Sequence, residues 1–387
     1  MRRGLRSIFM SAMNFIFILS FLLISLWNVS CNGLQISPLL STVVDACQRG
    51  CHEIRKVQNQ RIKTMETTGS SDGLSFVELK DELDPRSVFT EADGAAQRVI
   101  TESLRAAWGE QLRIIGEEDD ENVKIKSATT IKPLQQDMFE DDIPFDATDP
   151  IDISKITIYV DPLDGTREFV EGRLENCQVL VGIAIDGEAV AGAIGIPFPD
   201  GSDDLSVDPT IVYGLAEYEM AGVFGTPLKR GQIPLPKHRD SLDYPRPHIA
   251  TGDSTADVME ACRRATIYRF GGSNVIYGGA GNKILAAALR EVACTIQHKV
   301  GGPWDLCAPE AVLKAMGGKM TDLFGNKIDI YRLDYDTNRC NERGYIATPQ
   351  ATDKFSRLHD ALVETMLELP EVQEYQKEVG VITTNKE

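Results

Sequence analysis

Positive charge is what this chain has too little of: 40 lysines and arginines face 58 aspartates and glutamates, for a formal net charge of −18. A surplus of that sign repels polyanions instead of steering them in, which excludes a nucleic-acid polymer as a partner. The eight cysteines fall into no metal-binding spacing, so the sequence offers no thiolate zinc site. Internal repeats are also absent, which sets aside repeat architectures. What is present is ordinary for a globular enzyme. The chain has 387 residues, 42% hydrophobic and 25% charged, ample for two packed layers of core.

The N-terminus stands apart. Arg2, Arg3 and Arg6 precede an apolar stretch from Ile8 to Trp27, and small residues follow at Ser30 and Cys31. This reads as a signal peptide or signal anchor, and residues 1–35 are set outside the fold. Basic residues ahead of the stretch predict a cytoplasmic N-terminus with the remainder translocated. The expected destination is the lumen of the Golgi or ER, with membrane anchoring through this segment; the alternative is the first half of a plastid-targeting leader.

The most informative stretch is Asp161-Pro162-Leu163-Asp164-Gly165-Thr166, which puts two carboxylates, a carbonyl and a hydroxyl on one tight turn. The preceding residues 155–160 are β-branched and apolar enough for a buried strand, so the turn falls at the strand's carboxyl end, where open α/β sheets place ligands. Burying two like charges this close costs several kcal/mol each (roughly) unless something positive neutralises them. Magnesium suits such a turn through Asp161, Asp164 and the Leu163 carbonyl. A solvated Asx-type turn is the plainer reading of the motif alone. Two further segments add oxygen ligands. Residues 111–115 read as a strand ending in Gly116-Glu117-Glu118-Asp119, and Gly301-Gly302-Pro303-Trp304-Asp305 brings an aspartate to a helix start after the strand-like residues 292–296.

In this order, G-E-E, then D-P-L-D-G-T, then W-D, the chain resembles the lithium-sensitive, magnesium-dependent phosphatases of the inositol monophosphatase superfamily. Gly278-Gly279-Ala280-Gly281-Asn282-Lys283-Ile284 and Trp304-Asp305-Leu306-Cys307-Ala308-Pro309-Glu310 are most similar to its 3'(2'),5'-bisphosphate nucleotidase branch. The resemblance runs from about Leu39 to about His359. It implies an α/β fold, a layered α+β sandwich of alternating helices and sheets, and two or three magnesium ions held by Glu117, Asp161, the Leu163 carbonyl, Asp164 and Asp305. It also implies Asp93 as the general base paired with Thr166, because residues 88–97 resemble the family segment that supplies it. Taken alone, Asp93 would read as an exposed carboxylate on a helix face.

Residues 278–281 form a glycine loop opening a strong helix, which aims free N–H groups at an anion, and a phosphate suits that place. Lys283 opposes the helix dipole there, a placement easier to understand if it faces a phosphate. The substrate-binding candidates are therefore Thr166, Ser254, Gly279, Lys283 and Asp305. One departure concerns the nucleotide: after His248, residues 249–256 lack the arginine and histidine of the resembling T-R-S-H-like segment, although Ser254 or Thr255 could still donate to phosphate. The expected partner is a small phosphorylated metabolite, a bisphosphate nucleotide or an inositol phosphate. A metal- or phosphate-binding protein without catalysis is the non-enzymatic alternative.

Apolar spacing predicts a helix from about Leu39 to Asn59, with Cys47 and Cys51 as core thiols on its stripe. A second helix is expected from about Glu91 to Trp108, and a hairpin turning on Asp186-Gly187. A further helix is expected over residues 309–316, with proline near its start and glycine at its stop. Strand 75–80 and a Pro-rich junction at 233–247 complete the outline. The junction divides an N-terminal α+β domain (36–240) from a C-terminal α/β domain (241–375), with a tail at 376–387. In an oxidising compartment, Cys262 and Cys340 are the thiols to check for pairing.

Overall fold

The computed structural model describes residues 33–69, 77–79, 88–118, 132–139, 150–201, 203–228, 248–336, 340–351 and 357–380. The leader, most of the acidic insertion, the Pro-rich junction and the last residues of the tail lie outside these. No described helix is long and apolar enough to cross a membrane.

Strand β1 (Gly33–Leu34) leads into α1 (Ile36–Thr68), longer at both ends than its apolar stripe suggested. Leu39, Leu40, Val43, Val44, Cys47, Cys51 and Ile54 on that stripe are all fully buried, and the helix stops at Gly69, whose φ of 69° suits the left-handed cap. After β2 (Val77–Leu79) and β3 (Val88–Thr90), α2 runs over Glu91–Trp108. Its start is fixed by a capping box in which the Thr90 hydroxyl accepts from Ala92 N–H while Asp93 takes the Thr90 N–H.

β4 (Arg113–Gly116) and β5 (Ile151–Asp152) precede β6 (Ile156–Asp164), which is buried along its whole length and continues through the two turn aspartates by way of an irregularity between Asp161 and Asp164. A one-turn helix, α3 (Thr166–Val170), follows. The hairpin is β7 (Gln178–Ile185) and β8 (Glu188–Ile196), turning on Asp186 and Gly187 with φ of 50° and 82°, the two positive values a tight two-residue hairpin turn requires. β9 (Thr210–Leu215) and β10 (Met220–Gly225) complete a six-stranded sheet in the order β10-β9-β8-β7-β6-β4, antiparallel except for the β4/β6 pair.

The second sheet has five strands, β11 (His248–Thr251), β12 (Ser273–Ile276), β13 (Cys294–Gln297), β14 (Lys319–Thr321) and β15 (Tyr345–Thr348), in the order β12-β11-β13-β15-β14. Its helices are α4 (Asp257–Phe270), α5 (Ala280–Ala288), α6 (Pro303–Ala315), α7 (Leu358–Leu367) and α8 (Pro370–Glu378). Helices α1 and α2 cover one face of the six-stranded sheet, α5 and α6 fill the space between the sheets, and α4, α7 and α8 lie beyond the second sheet. The result is the layered sandwich of alternating helices and sheets.

Helix α6 begins at Pro303, so Asp305 stands at the helix start expected for it; the helix expected over residues 309–316 is the later part of the same element, and Pro309 sits in its interior. Proline at the first helical position sacrifices no bond, whereas an interior one costs about 3 kcal/mol. Packing offsets that cost: Gly182, Gly192 and Gly214 stand in register across β7, β8 and β9 and form a groove that α6 fills. A Cβ on Gly192 would lie 2.8 Å from Ala308 Cα, and one on Gly214 2.8 Å from Val312 Cα.

Candidate active site

Register assembles the acidic cluster. The parallel β4/β6 pair matches Gly116 with Val160, so the next residues, Glu117 and Asp161, emerge side by side, and Glu117 N–H donates to the Val160 carbonyl at 2.9 Å. Gln97 on α2 secures this end of β4: its amide accepts from Glu118 N–H at 3.0 Å and donates to the Glu118 carbonyl at 2.5 Å. Gly116 has no side chain to obstruct Gln97, which would collide with any Cβ there.

Asp161, Asp164 and Asp305 each offer an oxygen, and these oxygens lie within 4.8 Å of one another. Asp161 Oδ1 accepts from Leu163 N–H at 3.0 Å. Burial pushes the Asp161 carboxyl well above its ordinary range, and the Glu117, Asp164 and Asp305 charges push it further. Asp164 is also raised by burial, against the pull of Lys283 and of the Ala280 and Gly281 N–H groups. Asp305 comes from the other half of the chain, at the third position of α6, where it accepts the Gly302 N–H at 2.7 Å. Carboxylates this close, with Asp161 and Asp164 buried and Asp305 half-buried, demand protons or cations, and a donor set made only of oxygen suits a hard divalent ion such as magnesium.

Beside the cluster, Thr166 Oγ1 lies 2.8 Å from Asp93 Oδ1 and 3.0 Å from the Leu163 carbonyl. One hydroxyl carries one proton, and the shorter, charged acceptor takes it. Asp93 Oδ2 accepts from Thr90 N–H at 2.8 Å and Thr90 Oγ1 at 2.6 Å. Asp93 is fully buried, not an exposed helix-face carboxylate.

At the glycine loop the structure corrects the expected ligand. The anion at the start of α5 is a side chain of the protein: Ala280 and Gly281 N–H donate to the two oxygens of Asp164 at 2.9 and 2.8 Å. Those donors are therefore spent on orienting a carboxylate. Lys283 is likewise turned inward, its ammonium on the Gly279 carbonyl at 2.6 Å and the Tyr277 carbonyl at 3.3 Å. Burial pulls its pKa down, while Asp164 and Asp305 pull it up, so the lysine offsets part of the cluster's charge.

Gly279, Lys283, Ser254 and Asp305 do line one cleft of about 740 Å³, together with Gly165, Arg167, Arg173, Ile276 and Lys299. Ser254 Oγ accepts from Ala256 N–H at 3.3 Å, leaving its own proton to donate. Several members of this wall escaped sequence reasoning. Arg167 Nη1 reaches Asp253 across the cleft at 2.8 Å. Arg173 forks onto Glu168 at 2.6 and 2.8 Å and holds that carboxyl below the usual range. No local pattern marks such residues, because each pair joins separate elements or lies beyond the motif. The seven described cysteines are free, buried Cys262 and exposed Cys340 among them. Cys47 and Cys51 are core thiols as expected.

Layers and site together define a phosphomonoester hydrolase of the α/β sandwich type. Residues 36–365 match the profile of the inositol monophosphatase family. Human 3'(2'),5'-bisphosphate nucleotidase 1 is 31% identical over 282 residues, 72% of this chain and 84% of the relative. A putative inositol monophosphatase 3 from Drosophila pseudoobscura pseudoobscura is 27% identical over 327 residues, 84% of this chain and 81% of the relative. Among solved structures, the extragenic suppressor protein suhB of Bartonella henselae superposes with a TM-score of 0.55 at 18% identity, covering 85% of this chain and 98% of that one. The chain belongs to the inositol monophosphatase family, whose members use magnesium.

Proposed function

We propose that the protein is a magnesium-dependent phosphatase that converts adenosine 3',5'-bisphosphate to AMP and phosphate. The observation that carries this reading is the convergence of Asp161, Asp164 and Asp305 beside the Asp93–Thr166 hydrogen bond. Glu117, Asp161, the Leu163 carbonyl, Asp164 and Asp305 would hold the metal. When bound, magnesium neutralises charge on the transferring phosphoryl group and acidifies the attacking water.

The chain's own residues do the rest. Thr166, its proton committed to Asp93, presents an oxygen lone pair that can accept the proton of water. Asp93 in turn accepts the threonine proton, and Thr90 holds it in the orientation to do so. The start of α5 aims Asp164, and the glycine groove delivers Asp305 by seating α6.

The nucleotide preference is supported by the bisphosphate nucleotidases among the relatives. A second reading, inositol phosphate, is favoured by the absence of an arginine from residues 248–256 and by relatives named inositol monophosphatase 3. A colorimetric phosphate assay over bisphosphate nucleotides and inositol phosphates decides. Adenosine 3',5'-bisphosphate is expected to be hydrolysed most efficiently; preference for an inositol phosphate would replace the nucleotide reading, and no release from any member would leave a binding protein.

A further inference from the structure

Among the described residues, four lysines and arginines line the cleft, and three are engaged by the protein. Arg167 is shared between Asp253 and Glu171, each at 2.8 Å, Arg173 is forked onto Glu168, and Lys283 sits on backbone carbonyls. Lys299 differs: it is exposed, and it makes no hydrogen bond or ion pair with any described residue. It stands two residues beyond the end of β13, where Gln297 Oε1 accepts the Gly252 N–H at 3.2 Å. The 297–299 segment is thereby held beside the 252–254 loop, whose Asp253 faces Arg167.

We infer that Lys299 is a specificity-determining residue that binds the second phosphate of a bisphosphate substrate. This deepens the proposed function and rests on it. One phosphate is consumed at the carboxylate cluster; a second dianion needs a cation whose charge is not already neutralised. Residues 249–256 carry no lysine or arginine, so that charge comes instead from the end of the neighbouring strand. The Arg167–Asp253 pair forms the adjoining lip. With side-chain exposures of 40% and 54% it is a solvated ion pair, weakly held, and Arg167 can turn to an incoming phosphate at little cost. A monophosphate would leave Lys299 unused.

The test is Lys299→Met, with Lys299→Arg as the charge-preserving control, in the full enzyme. KM is measured for adenosine 3',5'-bisphosphate and for adenosine 2'-monophosphate. Calorimetric binding of the bisphosphate is measured with calcium replacing magnesium so that the ligand stays whole. The methionine variant is expected to raise KM and Kd for the bisphosphate about five- to tenfold, the effect of losing one solvated charge-assisted contact. It should leave kcat within about twofold and the monophosphate KM unchanged, and arginine should restore affinity. Unchanged bisphosphate affinity, or an equal loss for both ligands, overturns the assignment. Tight bisphosphate binding by the wild type without phosphate release would instead sink the proposed activity, while the binding comparison still reads Lys299.

Discussion

Asp93 makes two kinds of hydrogen bond at once, a structural pair with Thr90 and a chemical one with Thr166. Replacing it by asparagine preserves shape but removes the proton acceptor, so Asp93→Asn should lower kcat by about 10²–10⁴-fold. The fold should lose no more than about 1–2 kcal/mol from the weakened cap. Thr166→Ser keeps the hydroxyl and should retain much of the activity; turnover by Asp93→Asn close to wild type would remove the pair from the mechanism. The residues of this site were legible in sequence through three short segments taken together, 116–119, 161–166 and 301–305, since 161–166 alone reads more plainly as a solvated turn. Gln97 was not legible, because a glutamine midway along an amphipathic helix looks like solvated surface until β4 is laid beside it. Lys283 was noticed for its unusual position, but its direction depends on where the Tyr277 and Gly279 carbonyls lie.

At the scale of elements, the position of Asp305 depends on how closely α6 approaches the six-stranded sheet. The three registered glycines permit that approach. Gly192→Ala puts a methyl against the α6 backbone and should cost about 1–3 kcal/mol by overpacking. Because α6 carries Asp305, the same substitution should weaken magnesium activation as well as lower the melting temperature. A variant with lowered Tm but unchanged magnesium dependence would show that the groove serves stability alone. The Asp186-Gly187 hairpin and the span of α2 were readable from local rules, as turn chemistry and capping residues are short-range signals. The glycine row was not, since register across β7, β8 and β9 is a property of the assembled sheet. The start of α6 was legible at Asp305, whereas its continuity through residues 309–316 was not. A proline ordinarily marks a helix start, and burial against the sheet allows Pro309 to remain inside this one.

For the whole molecule, two sheets brought together around α5 and α6 place carboxylates from distant parts of the chain in one cluster at the cleft, and the layered α/β architecture was expected from the family resemblance and is found. The order of the second sheet, β12-β11-β13-β15-β14, had no counterpart in the sequence, because long-range pairing leaves no local trace. The cluster is balanced only partly by Lys283, so a divalent ion should stabilise the folded state by mass action, about 2.7 kcal/mol at a hundredfold excess over its Kd. Burial and then the charges of Glu117, Asp164 and Asp305 all oppose ionisation of Asp161. The most direct measurement is therefore a magnesium titration of phosphate release and of melting temperature, in parallel, for the wild type and Asp161→Asn. Wild-type protein should release phosphate only with magnesium and melt several degrees higher when it is present, while the variant, folded and no less stable in chelator, should do neither. Magnesium-independent release by the wild type, or undiminished release by the variant, would contradict the account.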